Sequence, residues 1–282
     1  MPEGARQSKL GFGITGKDRP GLSRLASRIE DLGYDELWSN DYESDRGFGT
    51  LAVVAQATTH IDLGLGVIAL SDYQASWIAD EVERLALPQK RLILGIGSGR
   101  SLSVDLVRSG LVELRRRLPD CRLAVSSIMG PRFYALGGEL ADVVLTNWLL
   151  PDRIPWAREL VAAAAREAHR PVPSFASYVR VALGNDAAQA VTDEVEYYLR
   201  ISPRVTRAFE AQQLATRGPE AFGVTGVTGD DLIAGLVPYR EVLDSCIVRA
   251  LPPTEDVDVL LAVAEATAPR HWPGPAAVAT TS

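Results

Sequence analysis

Polar side chains in this sequence concentrate directly after short apolar runs, and hydroxyl and amide groups outnumber strong acids and bases among them. Such groups are better suited to holding a polar ligand through hydrogen bonds than to breaking bonds by acid–base chemistry. We therefore expect a site that cradles a cofactor, which would itself supply the reactive chemistry. The candidates are Thr15, Asn40, Asp41, Tyr42, Ser71, Asp72, Tyr73, Ser98, Ser126, Ser127, Thr146, Asn147, Tyr178 and Arg180.

Metal and nucleophilic catalysis find little support in the residue spacing. The three histidines, His60, His169 and His271, are far apart, and neither an H-x-x-x-H nor a C-x-x-C pattern occurs. The glycine-rich stretch around Ser98 does not have the G-x-S-x-G order of a nucleophile elbow. No metal is therefore expected.

Two glycine-containing turns are candidate anion sites. Gly95–Ser101 follows an apolar run and is expected to open the helix that contains the Val104 stripe, and Gly130, Pro131 and Arg132 follow the next run. Glycine permits close backbone approach, and a helix that starts with proline leaves N–H groups free for an anion beside the arginine charge. A tight turn and an ordinary helix start are the alternatives.

The elements that must position these residues alternate between two hydrophobic periods. Amphipathic stripes that begin at Leu22, Val104, Ile154 and Val257 separate some of the apolar runs and predict crossover helices. Eight such repeats favour a single-domain (β/α)8 TIM barrel over a doubly wound sheet. The predicted strands are Leu10–Ile14, Glu36–Ser39, Ile61–Leu70, Arg91–Ile96, Leu123–Ile128, Val143–Leu149, Phe175–Leu183 and Cys246–Leu251.

The barrel is expected to span residues 1–268. A long excursion, 185–243, separates the seventh and eighth predicted strands and contains two helical stretches. Excursions of this length are often lids or binding elements, although helices packed outside the barrel are the alternative. Residues 269–282 are rich in Pro, Ala and Thr and are expected to form a flexible tail.

Composition narrows the function classes. The chain has 282 residues, 46% of them hydrophobic and 23% charged, with a formal charge of −7. These values are typical of a globular protein and argue against a nucleic-acid or anionic-membrane surface. No apolar run is long enough to span a bilayer. Cys121 and Cys246 are interpreted as reduced core residues of a cytoplasmic protein.

Four ordered segments resemble the luciferase-like flavin/F420 oxidoreductases. GPRFYALGGELADVVLTNWLLP (130–151) resembles the pattern GPR…LAGE.ADGV.LNWL.P of that superfamily. LGYDELWSND (32–41) resembles LGFDSVWVSDH, THIDLGLGV (59–67) resembles TSRIRLGTGV, and RLILGIGSG (91–99) resembles RFILGIGAG. The chain is most similar to the F420-type branch, in a shortened form. The resemblance implies a (β/α)8 barrel that binds deazaflavin F420 or FMN and exchanges a hydride with a small organic substrate.

The resemblance also implies roles for individual residues. Asp41 takes the acidic position beside the cofactor ring, with Tyr42 next to it, and Ala69 and Leu70 take positions where relatives often have a bulge or a strained peptide. Independently of the resemblance, Tyr178 and Arg180 of the seventh predicted strand are candidates for substrate contact. Asp41 could instead cap the following helix, and Arg180 could form a salt bridge within the barrel. The positions assigned to the cofactor, by the resemblance or by the two glycine turns, are Ala69, Leu70, Gly97, Ser98, Gly99, Ile128, Met129, Gly130, Arg132 and Asn147.

Three departures from the family pattern leave other functions open. Tyr42 stands where many relatives have histidine, Val143 replaces the glycine of ADG, and few residues separate Gly99 from Arg122, where relatives insert a lid. The leading hypothesis is an F420-dependent oxidoreductase that acts on a C=O, C=N or C=C bond. An FMN-dependent monooxygenase or reductase and a cofactor-free barrel are the alternatives. The expected partner is a small-molecule substrate, and a homodimer is possible by analogy with relatives.

Overall fold

The computed structural model describes residues 8–15, 20–41, 47–251 and 256–272. Its strands are all parallel, and each is built from a run that is apolar on both faces, as strands buried between two layers require. The strands are β1 Lys9–Ile14, β2 Glu36–Ser39, β3 Asp62–Ala69, β4 Leu92–Gly97, β5 Arg122–Ser127, β6 Val143–Asn147, β7 Ser174–Leu183, β8 Val224–Gly226 and β9 Ser245–Leu251.

Eight of these strands close into a barrel. They run in the order β6-β5-β4-β3-β2-β1-β9-β7, and β6 pairs with β7 to complete the cylinder. The predicted (β/α)8 fold is thus confirmed, and every predicted apolar run forms a barrel strand. The short β8 pairs only with the end of β7, so it extends the sheet outside the barrel.

Helices connect the strands and cover the outside of the barrel. Short 3-10 turns lie at Gln89–Arg91, Gly99–Ser101, Pro151–Arg153, Pro219–Phe222 and Pro269–His271. The helices are α1 Leu22–Asp31, α2 Phe48–Ala57, α3 Ala75–Arg84, α4 Val104–Arg117, α5 Pro131–Leu140, α6 Ile154–Glu167, α7 Ala187–Ile201, α8 Pro203–Ala211, α9 Leu214–Arg217, α10 Gly229–Val242 and α11 Val257–Ala266. None of the helices within the described ranges has the length and apolar character needed to cross a bilayer.

Large side chains fill the barrel interior where neighbouring strands carry glycine. Trp38 and Tyr178 pack edge to face, with ring centroids 6.0 Å apart. A Cβ atom at Gly64 would lie 2.0 Å from the Trp38 ring, so this position must lack a side chain. The Trp38 indole N–H donates to buried Glu36 at 2.7 Å. The interior of the barrel is therefore a packed core, and the two largest cavities described below lie at the carboxyl ends of the strands.

The excursion between β7 and β9 divides into two parts. Helix α10 packs beside the barrel, as in an ordinary repeat, whereas α7 and α8 form a second apolar cluster with Trp148, Phe209 and Phe222. Gln212, fully buried, accepts a hydrogen bond from Leu150 N and donates one to Trp148 O, both at 2.8 Å. These contacts fix α7 and α8 to the loop after β6.

The carboxyl end of the chain is ordered beyond the point expected from composition. Pro269–His271 form a 3-10 turn, and the indole N–H of Trp272 donates to Thr267 O at 3.0 Å. The Arg240 guanidinium lies 4.2 Å from the Trp272 ring centroid. The first residues of the predicted tail therefore pack against the barrel, and the rest of it, 273–282, lies outside the described residues.

Candidate functional site

Two adjoining cavities open at the carboxyl ends of the strands. The larger, which we call the glycine cavity, has a volume of about 770 Å³ and lies over β3, β4 and β5. The smaller, which we call the tyrosine cavity, has a volume of about 620 Å³ and contains Tyr178, Tyr197 and Tyr198. Val67 and Asn147 line both, so the two spaces share one wall.

Most residues assigned to a cofactor from the sequence come together in the glycine cavity. They arrive from four different loops because parallel strands deliver their carboxyl ends to one face. Those lining it are Ala69, Gly97, Ser98, Gly99, Ile128, Met129, Gly130, Arg132 and Asn147. Leu70 does not line it: its side chain is 7% exposed and packs under α4, where a Cβ atom on Gly110 would lie 2.4 Å from it.

The irregularity expected at Ala69 and Leu70 lies earlier in β3. The register with β4 shifts between Gly66 and Ile68, and the Gly66–Val67 peptide bond is cis. The Tyr178 hydroxyl donates to Gly66 O at 3.0 Å. The shift turns Val67 into the wall between the cavities, and a Cβ atom at Gly97 would lie 2.5 Å from Val67 Cγ1. The absence of a side chain at position 97 therefore provides the space that the Val67 side chain occupies.

The first glycine turn does not open a helix, contrary to expectation. Gly99–Ser101 form a 3-10 turn, Leu102 is left-handed, and α4 begins at Val104 with Ser103 as its own N-cap. Because Ser103 Oγ accepts from Leu106 N at 3.1 Å, the N-terminus of α4 is already satisfied. Gly99 has a φ of +59° and a carbonyl that accepts from Arg204 at 2.8 Å. The turn therefore contributes close backbone approach and not a helix terminus.

The second turn has the predicted geometry. Gly130 is the N-cap of α5, Pro131 is its first residue, and no side chain caps it. Gly130 N donates to Ser127 Oγ at 3.0 Å, and Tyr134 donates to Ile128 O. A positive helix end thus faces the glycine cavity.

Three arginines and no aspartate or glutamate are found among the described residues that line the glycine cavity. Arg132 comes from α5, and Arg204 and Arg207 come from α8. Partial burial and the like charge of Arg207 lower the pKa of Arg204, which as a guanidinium nevertheless stays protonated. The chain carries net negative charge, yet this cavity is locally positive.

The tyrosine cavity holds the residues assigned to the reacting side and to substrate. Asp41, Tyr178 and Arg180 line it, whereas Tyr42 lies outside the described residues. Helix α2 begins at Phe48 with Gly47 as its N-cap, so Asp41 does not cap that helix. Burial raises the pKa of Tyr178 well above its usual range, and its hydroxyl is engaged with Gly66, so this residue is a neutral wall of the cavity.

Arg180 forms no salt bridge with any described carboxylate. It donates to the side-chain oxygen of Asn147 and stacks on Trp148 at 3.8 Å from the ring centroid. The barrel salt bridge considered from the sequence is therefore not formed within the described ranges. Within those ranges there is also no cluster of three or more His, Cys, Asp or Glu arranged to hold a metal ion.

Several lining residues were missed from the sequence. Arg204, Arg207 and Glu194 lie in the excursion, and Arg249 lies near the end of β9. A signal existed for two of them: Arg204 and Arg207 are three residues apart, a spacing that places both on one side of a helix. Arg249 could have been found by applying the strand-end rule to the last apolar run as well.

Comparison with known proteins is consistent with this architecture. Residues 13–122 match the family model described as luciferase-like monooxygenase. The chain is 25% identical over 206 residues to a 5,10-methylenetetrahydromethanopterin reductase of Methanolobus tindarius, covering 60% of this chain and 63% of that protein. It is 34% identical over 116 residues to a 4-hydroxyprotoasukamycin monooxygenase of Streptomyces nodosus subsp. asukaensis, covering 36% and 31%. These matches span less than two thirds of either relative.

Solved structures share the fold over nearly the whole chain. An F420-dependent secondary alcohol dehydrogenase in complex with an F420–acetone adduct has a TM-score of 0.72 at 14% identity, covering 92% of this chain and 97% of that one. The oxygenating constituent of 3,6-diketocamphane monooxygenase from Pseudomonas putida, in complex with FMN, has a TM-score of 0.67 at 14% identity, covering 95% and 99%. At these identities the similarity concerns the fold alone.

Proposed function

We propose that this chain, whose resemblance to the luciferase-like oxidoreductases is confirmed by these matches, is an oxidoreductase that uses F420 to exchange a hydride with a small organic substrate. The observation that carries the proposal is the glycine cavity: a large space beside the barrel mouth, lined by glycine turns, a free helix end and three arginines. The tyrosine cavity beside it provides room for the substrate.

The glycine cavity fits a phosphorylated tricyclic cofactor in size and in lining. Its volume of about 770 Å³ lies in the upper part of the range of ligand pockets. Val67, Ala69, Ile128 and Met129 supply apolar surface for a flat ring. A side chain on Gly97 would collide with Val67. Glycine at this position therefore leaves space in which a flat ring can approach the backbone.

The charge of the cavity favours F420 over FMN. The side chain of FMN ends in one phosphate, whereas that of F420 carries a phosphodiester followed by glutamate carboxylates. Three arginines with no acidic lining residue in the described part of the chain match several negative charges better than one. Arg204 and Arg207 also lie on α8, above the strand ends, where a long charged tail would leave the barrel.

The residues of this chain would bind, orient and exclude water. Bound F420 would supply two-electron hydride chemistry and would react poorly with oxygen. Val67 and Asn147, as the shared wall, would fix how closely the substrate approaches the ring. Asp41 and Tyr42 are proposed to line the reacting side, where either could hold a proton for the substrate oxygen or nitrogen. A C=O, C=N or C=C bond would suit this arrangement.

FMN is the second candidate because a segment of 116 residues is 34% identical to a monooxygenase. A fluorescence titration of the purified chain with F420, and separately with FMN, tests both. We expect F420 to bind at least tenfold more tightly than FMN. Tight binding of FMN alone would replace the proposal with the flavin alternative, and binding of neither would leave only the cofactor-free barrel.

A charge variant tests the proposed tail site. The double variant R204Q/R207Q removes two of the three arginines from the cavity and should weaken F420 binding about tenfold, with a smaller effect on FMN. R200Q, an exposed arginine of α7 outside both cavities, is the matched control. Equal effects of the control and the double variant would contradict the tail assignment.

A further inference from the structure

Two arginines from neighbouring strands face the tyrosine cavity. Arg180 of β7 and Arg249 of β9 are direct partners in the parallel register, so their side chains leave the sheet at the same height. Both line the cavity. The barrel therefore brings two positive charges together in the tyrosine cavity.

Arg180 is buried without an ion-pair partner among the described residues, although the carboxylate of Glu194 lies near enough to favour its charged form. The residue is 6% exposed, and no described Asp or Glu oxygen lies within 4.0 Å of its guanidinium nitrogens. Its one side-chain acceptor is the neutral amide of Asn147, and its Nε is buried with no hydrogen-bond partner in the described part of the chain. A buried cation in this condition is costly, and an anionic ligand would offset that cost.

Arg249 donates one side-chain hydrogen bond within the described ranges and also lines the cavity. One nitrogen donates to Thr15 Oγ1 at 3.2 Å, and the residue is half-buried. Burial is the main cause that lowers the pKa of Arg180, and the like charge of Arg249 also lowers it, whereas Tyr198 and Glu194 raise it by less. The two guanidinium groups thus repel each other until a negative group lies between them.

The rest of the cavity indicates what the ligand carries besides its charge. Tyr178, Tyr197, Tyr198 and Ile201 line the same cavity as the arginines and Val67, and they supply apolar surface to it. Trp148 lies under Arg180 at 3.8 Å from the ring centroid and holds the guanidinium plane in place. This apolar surface suits an aromatic or alicyclic body.

The acidic residues of the cavity limit the ligand's charge. Glu194 and Asp41 also line it, although neither forms an ion pair with Arg180 or Arg249. Their carboxylates would repel a dianion such as a phosphate monoester more strongly than a monoanion. A carboxylate carries a single negative charge and accepts two parallel hydrogen bonds from a guanidinium. It therefore compensates the arginines and is repelled less by the acidic residues than a dianion.

We infer that the tyrosine cavity binds an organic acid whose carboxylate lies between Arg180 and Arg249 and whose ring or chain extends along the tyrosines toward Val67. The inference rests on the proposed function insofar as this acid is the hydride partner. It adds the substrate class: an unsaturated, keto or hydroxy acid with an apolar body.

Calorimetric titration of the purified chain with benzoate, benzamide and phenyl phosphate tests the inference. Benzoate and benzamide have the same shape and differ in charge. We expect benzoate to bind at least tenfold more tightly than benzamide and more tightly than phenyl phosphate. Equal affinity for benzoate and benzamide, or no binding of any probe, would overturn the inference. Tighter binding of phenyl phosphate would overturn the carboxylate assignment.

Two variants locate the site. R249Q and R180K should each weaken benzoate binding at least tenfold and leave benzamide binding unaffected. R249Q removes one positive charge, and R180K replaces the planar guanidinium, which donates two parallel hydrogen bonds, with an ammonium group. R180K keeps the buried charge, and the partly exposed R249Q provides an independent result should the Arg180 variant fold poorly. R200Q is again the matched control. Unchanged benzoate affinity in R249Q would contradict the inference.

The same samples separate this inference from the proposed function. F420 titration of each variant reports the glycine cavity, which neither arginine lines. F420 binding without benzoate binding would overturn the inference that the substrate is an organic acid and would leave the proposed function standing. Benzoate binding that depends on Arg249, in a chain that binds neither F420 nor FMN, would support the acid site and overturn the proposed function.

Discussion

Gly97 and Val67 show how one absent side chain shapes the candidate site. Val67 is β-branched and stands on the β3 irregularity, so its side chain has little freedom to move aside. A Cβ atom at Gly97 would lie 2.5 Å from it, closer than carbon atoms approach. Any added side chain must therefore push Val67 toward one of the two cavities.

We expect G97A to weaken F420 binding at least tenfold while the variant still folds with a reduced melting temperature. G49A is the control, because nothing lies within 4 Å of a Cβ atom at Gly49 in α2. Alanine there should be neutral or should stabilise by up to about 1 kcal/mol. Fluorescence titration and thermal unfolding provide the two readouts. Unaltered F420 affinity in G97A would show that the position of Val67 does not determine how well the glycine cavity binds F420.

Residues of the candidate site were predictable where they follow a strand directly. Gly130, Arg132 and Asn147 line the glycine cavity because each lies at or just after the carboxyl end of its strand. The β3 irregularity was placed at Ala69 and Leu70 instead of at Gly66–Ile68, since a register shift depends on both partner strands. The sequence of one strand alone does not contain that information.

At the scale of elements, a buried amide adds to the apolar contacts that hold α8 against the loop after β6. Gln212 joins the end of α8 to backbone groups of Trp148 and Leu150. Q212A would leave those buried groups without partners, at a cost of about 1–3 kcal/mol.

We expect faster amide hydrogen exchange of residues 203–217 in Q212A, no change in β1 to β5, and weaker F420 binding through Arg204 and Arg207. The exposed Gln189 of α7 gives the control Q189A, which removes only a surface hydrogen bond to Asp193. Faster exchange throughout the barrel would indicate that Gln212 supports the whole fold and not α8 alone.

Glu30 connects α1 to the turn before β3 and gives stability a pH dependence. Partial burial raises its pKa, but N–H groups of His60, Ile61 and Thr59 lower it by more, so the net pKa lies below its ordinary value. Because the folded pKa is depressed, the contribution is present above the ordinary pKa of about 4.3 and is lost as pH falls through the folded value.

E30Q should therefore lower the free energy of unfolding by about 1–2 kcal/mol at pH 7, and the difference should shrink between about pH 5 and pH 3. Urea unfolding across this range measures it. E265Q is the control, because Glu265 forms a half-exposed surface pair with Arg28 at 2.9 Å. A difference that stays constant down to pH 3 would contradict a role for the Glu30 charge.

The elements themselves were largely predictable because one period dominates each segment. The stripes that begin at Leu22, Val104, Ile154 and Val257 became α1, α4, α6 and α11. The short β8 was not predicted, since three residues are too few to show a period. The excursion was left open between a lid and packing helices. In the structure α10 packs beside the barrel and α7 and α8 line the two cavities, an arrangement that depends on tertiary contacts with Trp148.

At the scale of the whole molecule, both cysteines report on global opening. Cys121 and Cys246 are free and buried in the main core. Burial raises the pKa of each thiol to about 12, so almost no thiolate is present at pH 8. We expect no reaction of the native chain with a thiol reagent over hours and two equivalents in denaturant. Rapid native labelling would mean that the barrel opens locally.

The position of α7 and α8 over the two cavities has a consequence for the free energy of ligand binding. Helices α7 and α8 adjoin in sequence and cover the tyrosine cavity and the glycine cavity respectively, above the common wall of Val67 and Asn147. A ligand that orders one helix would also restrict the neighbouring helix. A second ligand that binds the neighbouring helix would then incur a smaller cost in conformational entropy. Thermodynamic linkage then requires that each occupant raise the other's affinity by an identical factor, whichever enters first.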